Sequence, residues 1–266
     1  MHFTTRRCLS LRHVFYLYTF LLFICALIFL STSLANQDGW NLFSLFQGYE
    51  LTQAEIESGT GQLAQDDARL MRHISEKYLI PPSPKGVQAG VDWTPVHLTN
   101  KFEQQEVSRF IIDLFKNKNG GTFIECGAND GEFFSNTMLL EEKYGWTGLL
   151  VESDPRPLKK LMIRNRAAWI AECCLSTGSQ PQKMEFLRHD RDEGLSFIPG
   201  KRHFIGNEAD YYSFDAQCFP LYSILSAINM TTVDFFSIDI EGAELDVLKT
   251  IPWDKVLIKK KMGLRL

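Results

Sequence analysis

The chain has no surplus of basic residues. Its 28 Lys and Arg are outnumbered by 32 Asp and Glu, for a formal net charge of -4. That balance argues against a nucleic-acid binder, which carries a basic excess. There is no CxxC pair and no Cys/His spacing of the kind that holds zinc. Six cysteines in 266 residues are too few for a scaffold built from disulfides. No internal repeat is visible, which excludes a repeat array. What is present, 45% hydrophobic residues over 266 positions, is enough for one full core, so one globular domain plus an anchor is the natural division.

The N-terminus carries the anchor. Arg6, Arg7 and Arg12 precede an apolar run from Val14 to about Leu34. The run is long enough to span a bilayer as a helix, and the arginines keep its leading end cytosolic. The layout is then a cytosolic tail (1–13), a transmembrane signal anchor (14–34), a lumenal stem and linker (35–98) and a domain (99–266). The rival reading is a cleaved signal peptide, with Ser33 and Ala35 as the small residues before a cut at Asn36. The length of the run favours the anchor, and both readings send the domain into the secretory pathway. In that setting Asn229-Met230-Thr231 is either a glycosylation acceptor or a chance triplet. Cys174 and Cys218 are either a disulfide or two buried thiols, a choice the sequence does not make.

Leu70, Met71, Ile74 and Tyr78 recur at helical spacing within the stem, and Pro81, Pro82 and Pro84 end that helix. A second helical stripe (Phe102, Val107, Phe110, Ile111, Leu114, Phe115) opens the domain and stops at Gly120-Gly121. From Thr122 the pattern alternates. Strands are expected at Thr122–Cys126, Gly148–Glu152, Ala168–Leu175 and Asp234–Ile240, with helices near Ser135–Tyr144, Pro155–Asn165, Pro220–Asn229 and Ala243–Thr250. Ser176 to about Gln217 reads as a long polar insertion, and its charge run His189–Glu193 as a solvated loop. Within it, Phe204, Tyr211, Tyr212 and Phe214 read as local packing. Strand–helix units of this length predict an α/β fold, a Rossmann-like parallel sheet with helices on both faces.

Chemistry gathers at the strand ends, where such sheets bind ligands. The first turn reads Glu125-Cys126-Gly127-Ala128-Asn129-Asp130-Gly131. Its glycines let backbone pass close to a ligand. A carboxylate at Glu125 would repel a pyrophosphate and suits the cationic methionine part of S-adenosylmethionine (SAM). Glu152 ends the second strand about twenty residues further on, where a carboxylate accepts hydrogen bonds from ribose hydroxyls. Asp154 either lines the adenine pocket or caps the helix that Pro155 begins. Asp239 and Glu241 leave an otherwise apolar strand, and a carboxylate buried there is costly unless paired or used. They are the candidate catalytic residues, able to orient the methyl donor or take a proton from an acceptor hydroxyl; the rival reading is N-capping of the next helix. Glu244 reads as compensation of a helix dipole.

Phe123-Ile124-Glu125-Cys126-Gly127-Ala128-Asn129-Asp130-Gly131 and Ser237-Ile238-Asp239-Ile240-Glu241-Gly242-Ala243-Glu244-Leu245 together resemble the FkbM-type methyltransferase family, over about Phe110 to Lys255. Cys218-Phe219-Pro220-Leu221 and Ile251-Pro252-Trp253-Asp254-Lys255-Val256, with the membrane-anchored layout, are similar to its arthropod Star branch. The resemblance implies a methyltransferase fold and SAM as cofactor. It also implies a single-pass protein of the endoplasmic reticulum, Golgi, late endosome or plasma membrane. It leaves two roles open: a methyltransferase, or a non-enzymatic carrier of membrane growth-factor precursors from the endoplasmic reticulum onward. The family pattern continues into further strands, whereas Lys259, Lys260 and Lys261 interrupt the run that should form the next one. The expectation is therefore a C-terminally truncated sheet whose last strand, Asp234–Ile240, is an exposed edge.

Overall fold

A computed structural model describes residues 51–84, 110–133 and 135–263, apart from 112, 117, 193, 204 and 205. Thr52 opens helix α1 (Gln53–Glu57) through a capping box with Glu55, and Asp67 caps α2 (Ala68–Lys77). Strand β1 (Leu79–Ile80) follows, and residues 113–115 are helical. The chain then runs β2 (Thr122–Cys126), α3 (Met138–Tyr144), β3 (Thr147–Glu152), α4 (Pro155–Met162), β4 (Trp169–Glu172) and β5 (Cys174–Leu175). Next come β6 (Gln182–His189), β7 (Ser196–Phe197), β8 (Tyr211–Phe219), α5 (Leu221–Ala227), β9 (Thr232–Ile238), α6 (Glu244–Thr250) and β10 (Leu257–Gly263).

Two sheets result. The larger has the order β1-β4-β3-β2-β9-β10, parallel throughout except for β1 against β4. The smaller has the order β5-β8-β6-β7. Phe123, Leu150 and Phe235 face a core filled by Leu140, Trp146, Leu158 and Leu161. Their strand neighbours Ile124, Leu149 and Phe236 point the other way and are equally buried. Both faces of the sheet are thus covered, as a parallel sheet requires. Strand order reverses between β2 and β9, because β3 and β4 are laid down on one side of β2 while β9 and β10 lie on the other. That reversal opens a crevice at the carboxyl ends of the strands.

Four expectations are corrected. The strand Ala168–Leu175 is two strands in two sheets: β4 pairs with β3 up to Glu172, and beyond Cys173 the chain crosses to β8, where Cys174 pairs with Cys218. An unbroken apolar run carries no mark of such a switch. The polar insertion is a sheet: β6 and β8 pair antiparallel from Gln182↔Cys218 to His189↔Tyr211. Its strands are only half-buried, so polar residues fill one face, while Phe186 stacks on Phe214. The stem is part of the folded unit over Thr52–Pro84: α2 packs on α5, β1 pairs with β4, and Lys255 reaches Asp66. Finally, the lysine run is itself a strand. Ile258 and Met262 of β10 face inward, Lys259 reaches Asp234, and Lys261 lies over the Trp253 ring.

Of the stripe opening the domain, Ile111 and Phe115 enter the core and Phe110 is exposed. Phe102, Val107 and the apolar run Val14–Leu34 lie outside the described residues. Among the described residues no helix is long and apolar enough to cross a membrane. Cys174 and Cys218 form a disulfide joining β5 to β8, and Asn229 is exposed in a left-handed turn after α5.

Candidate functional site

A cavity of about 380 Å³ sits at the carboxyl ends of β2, β3 and β9, a size ordinary for small-molecule sites. Glu125, Glu152 and Asp239 all line it, with Asp192, Glu241 and, as the one cation among the described residues of the lining, Arg202. Phe186 of β6, with Leu195 and Ile198 on either side of β7, supplies an apolar wall.

Glu125 is the most deeply seated of these acids, 2% exposed. Its Oε2 accepts hydrogen bonds from the hydroxyls of Ser135 (2.8 Å) and Thr137, and its Oε1 from the Asn136 amide at 2.6 Å. Burial raises its pKa, while the nearby Arg166 charge and these three donors work the other way. The loop it holds carries Asn136 to the cavity wall, where the side chain donates to Ser237 Oγ of β9 at 3.0 Å.

Glu152 ends β3. Its Oε1 accepts from the amides of Ser153 and Asp154, and its Oε2 from the amide of Asn129 at 2.8 Å. Burial pushes its pKa up to about 7 against these bonds, and the neighbouring Asp154 charge adds to the rise. A carboxylate has roughly four acceptor positions, so one remains on Oε2 for a ligand hydroxyl. Asn129 makes its bond from a left-handed conformation, φ 50°.

The glycines also serve packing. A Cβ on Gly127 would lie 2.0 Å from the Asp239 carbonyl oxygen, so this glycine, at φ +75°, lets β9 approach β2. The Asp239 amide donates to the Cys126 carbonyl at the same place. Gly131 makes room for Leu161 of α4. Neither contact is with a ligand space, although Gly127 and Asn129 do line the cavity.

Three further candidates lie off the cavity lining. Ala128 is buried in the main core. Asp130 turns to its own loop, accepting from the amides of Glu132 and Phe133, with Arg164 at 3.4 Å. Asp154 caps α4, accepting from the Arg156 amide, and also accepts from Ser196 Oγ at 2.9 Å, which ties the two sheets together. Of the two readings open for Asp154, the cap is the one realised, because a side chain preceding Pro155 sits beside unpaired helix amides. Glu241 lines the cavity in a left-handed conformation, φ 59°, and is ion-paired with Arg202. Glu244 accepts from the amides of Ile240 and Gly242, which fixes the turn that presents Asp239 and Glu241.

Sequence reasoning missed Asn136, Arg166 and Arg202. Ser135-Asn136-Thr137 before an apolar helix signals a cap, and nothing local says that its hydroxyls answer to Glu125. The free thiols of Cys126 and Cys173 also line the cavity, and burial raises the pKa of each.

No curated protein matches the chain, and no solved structure does. The model of the Methyltransferase FkbM domain matches residues 125–264, from Glu125 at the cavity to the end of β10. Sheet order, cavity position and this match agree: the chain belongs to the Methyltransferase FkbM domain family.

Proposed function

We propose that this protein binds SAM in the cavity at the strand ends and transfers its methyl group to a small acceptor. One observation carries the reading: Glu125, Glu152 and Asp239, from three different strands, meet at one hollow where the strand order reverses. The lining fits the group. Among the described residues it has five carboxylates against one arginine, suiting a ligand with a sulfonium and an ammonium. When bound, SAM supplies an electrophilic methyl on its sulfonium.

The chain's own residues supply position. Glu152 accepts from the ribose through its remaining site, and Glu125 faces the ammonium. Asp239 takes the proton of an acceptor hydroxyl as that oxygen attacks. Glu241, engaged by Arg202, shapes the acceptor wall instead of sharing the base role. The apolar wall of the smaller sheet keeps water from the methyl, so the gain comes from positioning and desolvation.

The disulfide Cys174–Cys218 supports placing this site in the oxidising secretory pathway, behind the Val14–Leu34 anchor. The capture of Glu241 by Arg202 favours a second reading, in which the domain holds ligand or cargo without turnover, as a carrier of growth-factor precursors would. Melting the full-length chain in detergent with and without SAM tests the first. A binder at a hundredfold excess over Kd gains about 2.7 kcal/mol, and an unmoved melt at saturating SAM would leave only the second.

A further inference from the structure

Arg166 is fully buried, at 1% exposure, between β4 and the loop that follows Gly131. Its Nε bonds to Glu141 Oε2 at 2.9 Å, one terminal nitrogen donates to the Gly131 carbonyl and to Ser135 Oγ (3.2 Å), and the other donates to Thr137 Oγ1 at 3.1 Å. Ser135 Oγ also accepts from the amides of Thr137 and Met138. A hydroxyl has two acceptor sites and one proton. Arg166 and the amides fill the acceptor side of Ser135 Oγ, Thr137 Oγ1 accepts from Arg166, and each hydroxyl directs its proton at Glu125 Oε2.

We infer that Arg166 is a positioning residue, which acts through Ser135 and Thr137 to hold Glu125 as a carboxylate with an Oε1 site facing the ligand ammonium. This rests on the SAM reading of the cavity. Three of the roughly four acceptor positions on Glu125 are filled by Ser135, Thr137 and the Asn136 amide. The fourth lies on Oε1, beside Asn136 at the cavity wall. The surroundings cannot do this without Arg166. Glu152 and Asp239 share the cavity, Glu141 stands on α3, and Cys126 follows on β2. The carboxylates oppose ionisation of Glu125, and the thiol, kept neutral by burial, does nothing to favour it. Arg166 supplies the opposing charge, and its planar fork lets one cation serve two hydroxyls.

The test uses the full-length chain and two probes. SAM carries the ammonium; 5′-methylthioadenosine carries the nucleoside end without it. Arg166→Met should weaken SAM binding about tenfold or more near pH 7, leave methylthioadenosine within about twofold, and lose part of its effect at higher pH as Glu125 ionises. In a Glu125→Gln background the same substitution should cost SAM binding little, the signature of residues acting as one unit. Thr137→Val, which keeps Arg166 and the shape, should weaken SAM selectively but less. Equal losses for both probes, a loss independent of pH, or a full loss retained beside Glu125→Gln would overturn the inference. Wild-type chain that binds neither probe would instead remove the SAM reading. The relay then stands or falls on melting curves: the cost of Arg166→Met must rise with pH and shrink beside Glu125→Gln.

Discussion

The two ends of the larger sheet treat a buried acid in opposite ways. At the beginning of β9 Asp234 is gripped by Lys118 and Lys259, each at 2.8 Å, and by the Thr122 amide. Burial alone would raise its pKa, but these partners win and hold it at about 2. At the far end of the same sheet, Glu152 has amides and, among the described residues, no cation, and burial lifts it to about 7. Asp234 ties together the start of β2, the start of β9 and the edge strand β10. At the other end the acids line an open cavity, where Arg166 answers Glu125, Arg202 answers Glu241, and Glu152 is held by backbone amides. Stability is built where cations grip the acid, and the candidate site lies where amides hold it.

Breaking the backbone of the site end should have the largest effect. Gly127→Ala puts a methyl 2.0 Å from the Asp239 carbonyl in a left-handed conformation. It should lose about 3 kcal/mol or more by urea denaturation. Gly145→Ala, also left-handed but in open space, should lose about 1 kcal/mol. Next in size is Glu152→Ala, expected to weaken SAM roughly tenfold to a hundredfold by calorimetry.

Asp234→Asn should do the reverse, leaving SAM affinity unchanged and costing stability. Lys118 and Lys259 are half-exposed, so after allowance for solvent screening the cost is about 1–2 kcal/mol. Its folded pKa is depressed, so that contribution is present above the unfolded value near 4 and fades as pH falls toward about 2. Chemical denaturation at several pH values would show the gap between variant and wild type closing in that window. Glu152 has the opposite sign. Its folded pKa is raised, so it favours the folded state at low pH and loses that contribution as pH climbs from about 4.5 to 7. The smallest effect belongs to Lys261→Met. Its ammonium lies over Trp253 at a solvated edge, and melting should register about 0.5 kcal/mol.

The larger sheet and the place of the site were legible in the sequence because both follow from local pattern. Apolar runs between helices imply parallel strands, and Glu125, Glu152 and Asp239 end those runs. What the sequence hid depends on partners far along the chain. The crossing at Cys173 needs Cys218, the strand character of Lys259–Lys261 needs Asp234 and Trp253, and the docking of α2 needs α5. The roles of Asp130 and Asp154 were hidden for another reason. A carboxylate near a turn serves a ligand or the backbone, and only the direction of the side chain distinguishes them.

The central claim is that the acids lining the cavity hold SAM, with Glu152 at the ribose. Calorimetric titration of SAM into the full-length chain near pH 6 and near pH 8 tests it most directly. Ionised Glu152 is the binding form, so the account predicts one saturable site, several-fold tighter at the higher pH and with protons released at the lower. Absence of binding at both pH values, or binding of equal strength that Glu152→Ala leaves untouched, would contradict it.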